Sequence, residues 1–118
     1  MWWWRNAYDF TIGGSVNVAL LNFTKAMADI GIRQGVRVNA VNPGLIETER
    51  FMGNVERIMR ERSMTRAQAI AARLATHRTM RVGRPEEVGA LVAYLASAKA
   101  DFIQGALIDI DGGSTRAL

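Results

Sequence analysis

Apolar positions along the chain fall into blocks whose spacing changes from helical to strand-like and back. In "SVNVALLNFTKAMADIGI", Ser15 to Ile32, good helix formers dominate and the apolar residues cover more than one face. This predicts a helix buried on two sides, with Gly31 and Gly35 flanking its end. Val36, Val38, Ala40 and Val41 then read as a short, largely buried strand. Helical spacing returns from Phe51 to Arg62, and Thr65 with Gln68 has the spacing of a capping box for a helix reaching Thr76.

Pro85 suits a first helical turn, Glu86 and Glu87 suit the positive end of a helix dipole, and "EEVGALVAYLAS" carries one apolar stripe. A further helix is predicted there. Ala106 to Ile110 reads as a second buried strand, stopped by Gly112 and Gly113. The order helix, strand, helical insertion, helix, strand is that of a parallel sheet with crossover helices. Two parallel strands need cover on both faces and further strands beside them, so the expected class is α/β and the chain reads as the second half of such a domain. Residues 1–118 are taken as one partial domain, with 51–80 as a helical insertion.

Composition narrows the classes. With 118 residues, 49% hydrophobic and 22% charged, the chain has the balance of a soluble globular domain. The formal charge is +4, and nine arginines lie between Arg50 and Arg84. They fit either a basic patch for an acidic partner or the solvated face of amphipathic helices, since Ile58, Met59, Ile70, Leu74 and Met80 interleave with them at helical spacing. No aromatic side chains interleave for base stacking, and no nucleic acid is expected. The chain has no cysteine, which excludes disulfides and thiolate metal sites and permits a reducing cytoplasm, the expected location. His77 is the only histidine, too few for a metal site. "MWWWR" is too short for a membrane span and lacks the features of a signal peptide, so no membrane is expected.

Chemistry concentrates where the first strand stops, at Asn42-Pro43-Gly44. In open parallel sheets ligands lie beyond the carboxyl ends of the strands. Proline fixes the exit and removes a donor, and glycine lets backbone approach a flat ligand closely. Taken alone, the tripeptide is equally readable as a simple turn.

Taken in order and at their spacing, "VRVNAVNPGLIETE", "GRPEEVGALVAYLAS" and "FIQGALIDIDGG" resemble the C-terminal half of the short-chain dehydrogenase/reductase family, a likeness covering roughly Gly14 to Ser114. The resemblance implies the C-terminal portion of a Rossmann-type doubly wound parallel sheet. It also implies hydride transfer between NAD or NADP and a small carbonyl or alcohol substrate, which the 51–80 insertion would cover. By position, Pro43 and Gly44 look like the residues lining the nicotinamide ring, with Asn42 among the cofactor-binding residues. Ile46 and Thr48 resemble those that hold its carboxamide and the adjacent phosphate. The helix Ser15 to Ile32 is similar to the family's dimer-forming helix, so a homo-oligomer or association with a homologous subunit is expected.

The departures are as informative. The family's Gly-rich phosphate loop follows its first strand, and "TIGGSVN" matches neither its spacing nor its context. The family's Tyr-x-x-x-Lys motif aligns with Gly13 and Asn17, which supply neither a phenol nor an ammonium. Tyr8, five residues earlier, is the candidate to replace the tyrosine, while Asn17 retains the ability to hydrogen-bond a ribose hydroxyl. Lys25 lies eight residues beyond Asn17, about 12 Å along a helix, too far to stand in for the lysine. Asp109 and Asp111 read as a strand-end turn rather than a metal pair. Two functions follow: an NAD(P)-dependent oxidoreductase, truncated or divergent and inactive as the isolated chain, or a non-catalytic scaffold that pairs through the 15–32 helix.

Overall fold

A computed structural model describes residues 11–115. In chain order the elements are α1 (Thr11–Gln34), β1 (Ala40–Pro43), α2 (Glu49–Arg62), α3 (Arg66–His77), α4 (Pro85–Ala96), one 3-10 turn (Ala98–Ala100) and β2 (Leu107–Ile110). The strands pair in parallel, with Ala40 opposite Leu107, Asn42 opposite Asp109 and Pro43 opposite Ile110. This is the expected α/β pattern, and every predicted element is present.

Local signals act as their chemistry requires. Gly35, at φ 67°, ends α1, and the Val36 N–H closes back onto the Gly31 carbonyl at 3.0 Å. Gly31 is inside the helix, at a place where a Cβ would lie 2.2 Å from the Val36 carbonyl oxygen. The Thr48 hydroxyl caps α2 by accepting from the Phe51 N–H, and Thr65 and Gln68 form the reciprocal capping box of α3. At α4, Glu87 accepts from the Arg84 N–H at 2.7 Å, with Pro85 in the first turn as predicted.

The strand predicted from Val36 begins only at Ala40, because side-chain amides occupy the earlier positions. Gln104 Oε1 accepts from the Val38 N–H at 2.8 Å, Asn39 Nδ2 donates to the Ile103 carbonyl at 3.0 Å, and Asn39 Oδ1 accepts from the Ala106 N–H at 2.8 Å. Arg37 reaches across to the end of α4. Its guanidinium donates to the carbonyls of Leu95 at 2.6 Å, Ala100 at 3.1 Å and Ser97 at 3.2 Å, and its Nε lies 3.6 Å from Asp101.

Two expectations about burial are corrected. The helix predicted to be buried on both sides is buried on one. Gly14, Thr24, Ala28 and Gly31 face the rest of the fold, while Val16, Leu20, Phe23 and Ile30 are exposed. A two-stranded sheet is narrower than the apolar surface of α1, so one face is left over. The strands predicted to be buried are only partly so, and the main apolar cluster lies largely in the predicted insertion. Leu45, Phe51, Val55 and Ala69 are buried together, with Met52, Ile58, Met59, Ile70, Leu74 and Val82 packed against them. The α2–α3 hairpin is therefore a packed unit, tied at its base where the Gly83 N–H donates to the Leu45 carbonyl at 2.8 Å and the Glu47 N–H to the Gly83 carbonyl at 2.9 Å. The radius of gyration, 16.7 Å, exceeds the roughly 13.5 Å of a compact chain of this length.

Candidate functional site

The carboxyl ends of β1 and β2 open onto a cavity of about 230 Å³ between the sheet and α1. Asn17, Leu20 and Leu21 line it from α1, Ala40 to Pro43 from β1, and Asp109, Asp111 and Thr115 from β2 and the turn beyond. Three of the residues singled out in the sequence, Asn17, Asn42 and Pro43, thus meet in one place. The parallel register explains the company: Asn42 lies opposite Asp109, and its Nδ2 donates to Asp109 Oδ1 at 3.0 Å.

Asp111 has a structural task. Its Oδ1 accepts from the Gly113 N–H at 2.9 Å and its Oδ2 from the Thr115 N–H at 2.6 Å, which builds the turn beyond β2. Burial works to raise this carboxyl, but hydrogen bonds from Thr115, Gly113 and Ser114 outweigh it and hold the group below the usual carboxylate range. The strand-end turn read from "DIDGG" is the arrangement found. Among the described residues no group of three histidines or carboxylates could hold a metal ion.

The other predicted positions lie apart. Gly44 lines neither this cavity nor the next, and packing explains it: a Cβ there would lie 2.7 Å from Asp111 Cα. Close approach of two strand ends requires this glycine. Ile46 lines a second cavity of about 210 Å³ with Thr79, Arg81 and Glu87, and Asp111 is shared by both. The bridge to Gly83 uses the Leu45 carbonyl and the Glu47 N–H, so it leaves the N–H and carbonyl of Ile46 to other partners. Thr48 Oγ1 is engaged as the α2 cap, and donates weakly to the Ile46 carbonyl at 3.5 Å.

Among the described residues the cavity lining has no phenol and no ammonium. Lys25 is spent elsewhere, its Nζ donating to the Gly105 carbonyl at 2.5 Å, which pins α1 to the segment entering β2. Tyr94 belongs to α4, where its hydroxyl lies 3.4 Å from the Lys99 carbonyl. Tyr8 lies outside the described residues. Sequence reasoning missed Asp109 and Thr115 as cavity residues. The available signal was the pairing of the two strand ends, which sets Asp109 beside Asn42.

A family model described as enoyl-(acyl carrier protein) reductase matches residues 7–115. The chain belongs to the short-chain dehydrogenase/reductase family. It is 35% identical over 118 residues to the NADPH-dependent reductase BacG of Bacillus subtilis, covering 100% of this chain and 45% of that protein. The structure of L-sorbose reductase from Gluconobacter frateurii, complexed with NADPH and L-sorbose, superimposes with a TM-score of 0.82 at 26% identity, over 89% of this chain and 40% of the other. A short chain oxidoreductase of Pseudomonas aeruginosa, described as containing an atypical catalytic center, aligns at 28% identity and a TM-score of 0.76, over 89% of this chain and 40% of that one. The fold is accordingly a portion of the family's Rossmann-type doubly wound sheet. The chain spans less than half the length of these curated relatives and structures. Among the described residues no helix is long and apolar enough to cross a membrane.

Proposed function

We propose that this chain carries the nicotinamide end of an NAD(P) site, serving hydride transfer between the cofactor and a carbonyl or alcohol. The observation that carries this reading is the meeting of Asn17, Asn42 and Pro43 in one cavity at the carboxyl ends of parallel strands. The described residues fit one end of the cofactor only. An apolar wall of Leu20, Leu21 and Pro43 beside amide donors suits a ring and its ribose, whereas no Gly-rich turn between strand and helix is available for the pyrophosphate. Relatives named for NADPH support a nicotinamide dinucleotide as the ligand. The bound cofactor would supply the hydride; the chain's own part is to position it.

In this reading Asn17 offers its amide to a ribose hydroxyl where the family has lysine, and Asn42, Pro43 and Gly44 shape the ring site. Ile46 and Thr48 stand by the carboxamide and the adjacent phosphate. Residues 1–118 act as one partial domain, and the 51–80 segment covers the substrate. Gly13 and Asn17 leave the usual acid/base pair unfilled, so the isolated chain is expected to show no turnover with NADH or NADPH, and Tyr8 is the phenol to test by Tyr8→Phe. The relative with an atypical catalytic center is consistent with the family tolerating such departures.

Titration with nicotinamide riboside, which needs no phosphate site, tests the reading. Saturable NMR shifts at Asn17 and Asn42 are expected, weakened by Asn17→Leu. A spectrum unmoved by the riboside rejects the nicotinamide site.

A second reading, a non-catalytic subunit that pairs through α1, is favoured by one observation. Val16, Leu20, Phe23, Met27 and Ile30 repeat at steps of four and three, and all but Met27 are exposed. That is the spacing of a helix-pairing seam. Under this reading the chain associates with a homologous subunit and ignores the riboside.

A further inference from the structure

The cavity at the strand ends differs in charge from the chain that builds it. The sequence carries a formal net charge of +4, yet the lining contains the two carboxylates of Asp109 and Asp111 and, among the described residues, no lysine or arginine. Residues two apart on extended backbone share a face, which is how β2 and the turn beyond it bring both carboxylates to one cavity.

Their partners are neutral. Asp109 Oδ1 accepts from the Asn42 side-chain amide at 3.0 Å, and the two Asp111 oxygens accept from the backbone N–H groups of Gly113 and Thr115. Among the described residues, the arginines that form ion pairs reach Asp101, Glu61 and Glu87 instead. Lys25, the one lysine of α1, is held by the Gly105 carbonyl. A neutral donor stabilises a carboxylate but leaves its charge in place, so the field of two negative groups reaches the cavity. Apolar walls of Leu20, Leu21 and Pro43 focus that field by keeping out part of the water that would screen it.

A cavity of one sign separates ligands by charge. The nicotinamide ring exists in two forms of nearly the same outline: oxidised, it is a pyridinium with one positive charge; reduced, it is an uncharged dihydropyridine. We propose that this cavity selects the oxidised ring, and that Asp109 sets the preference. The proposal rests on the nicotinamide reading and adds to it which redox form the site favours. Asp109 is the more available of the two carboxylates, because Asp111 is tied into its turn through both oxygens whereas Asp109 holds Asn42 through one. A site that binds one form more tightly shifts the equilibrium between the forms by the same factor. The chain thereby makes a bound reduced cofactor a stronger hydride donor than a free one.

Two probes separate charge from shape: nicotinamide riboside, a cation, and 1,4-dihydronicotinamide riboside, its uncharged reduced form. Each is titrated into the ¹⁵N-labelled 118-residue chain at low ionic strength. The dissociation constant is expected to be about fivefold lower for the cation. The gap should close as salt is added, and also in Asp109→Asn, which keeps the side-chain shape and an acceptor for Asn42. The ratio of the two constants cancels whatever the ribosides share, ribose hydrogen bonds included. Equal affinities at low salt, or tighter binding of the reduced riboside, overturn the selection and leave the nicotinamide site standing. A gap that salt closes but Asp109→Asn does not touch overturns the role of Asp109. The salt series needs no variant, so it decides the selection even where Asp109→Asn misfolds. Binding of neither riboside rejects the nicotinamide reading and this inference with it.

Discussion

Gly44 and Asp111 hold the two strand ends against each other: a Cβ on Gly44 would stand 2.7 Å from both Cα and Cβ of Asp111. Ordinary carbon–carbon contacts lie at about 3.5–4.0 Å, and one of the two atoms met is backbone. Gly44→Ala must therefore move β1 relative to the turn that Asp111 builds. A loss of about 1–3 kcal/mol is expected, measured by urea unfolding, together with altered amide shifts at Gly113 and Thr115. An unchanged midpoint would mean that the strand ends are free to part.

Under the proposed alignment, replacing Asn17 by lysine puts a cation in the cavity that Asn42, Asp109 and Asp111 also line. Charge-assisted hydrogen bonds are roughly twice as strong as neutral ones, so riboside affinity should rise by about tenfold in Asn17→Lys. Calorimetric or NMR titration reads this directly. Equal affinity in the two proteins would place the ribose elsewhere.

Arg37 joins the start of the strand segment to the end of α4 through carbonyls 58 to 63 residues away. Removing it takes the side-chain donor from the Leu95 carbonyl, while the Ser97 and Ala100 carbonyls keep the backbone N–H groups of Ala100 and Ile103. Arg37→Ala is expected to lose about 2–4 kcal/mol, and Arg37→Lys to recover only part, because an ammonium lacks the fork that reaches several carbonyls at once. Full recovery by lysine would reduce the arginine's role to that of a charge near a helix end.

Glu87 sets an acid limb. The hydrogen bond from Arg81, at 2.6 and 2.8 Å, and then the Arg84 N–H lower its pKa to about 2. A carboxyl lowered on folding stabilises the native state above its ordinary pKa near 4.5, and the contribution is lost as pH falls toward 2. Stability should thus decline from roughly pH 4.5 downward, less steeply at high salt because the pair is partly exposed. Glu87→Gln should flatten that limb; an unchanged acid profile would show the pair to be thermodynamically silent.

The exposed seam of α1 gives a prediction about assembly. Phe23 and Leu20 are more than half exposed, at 58% and 57%. A contiguous apolar stripe on a helix of 24 residues favours pairing with another apolar surface. Sedimentation velocity is expected to show association of the parent chain and a monomer for Phe23→Asp. A monomeric parent at high concentration would count against pairing through this face.

Much of the fold was legible because its signals are local. Thr65 with Gln68, Gly35 and Pro85 each act on backbone groups close by in sequence, so spacing alone identified those helix ends; the Thr48 cap of α2, read in the sequence only as a cofactor contact, was not recognised. The family was legible through the three quoted segments, and the sequence also pointed to the carboxyl end of β1, where a cavity lined by Asn17, Asn42 and Pro43 is found. That Gly13 and Asn17 carry neither a phenol nor an ammonium is a matter of residue type alone.

Contacts between distant residues decided the rest. Asn39 and Gln104 substitute for a strand ladder only because residues more than 60 apart in sequence come alongside, and Lys25 is withdrawn from any site by a carbonyl 80 residues away. The same holds for burial. The pattern of α1 specifies two apolar faces, but which is covered depends on how wide a sheet lies beneath it, and here it has two strands. Hydrophobic periodicity records which residues are able to be buried; only the packed neighbours determine which ones are.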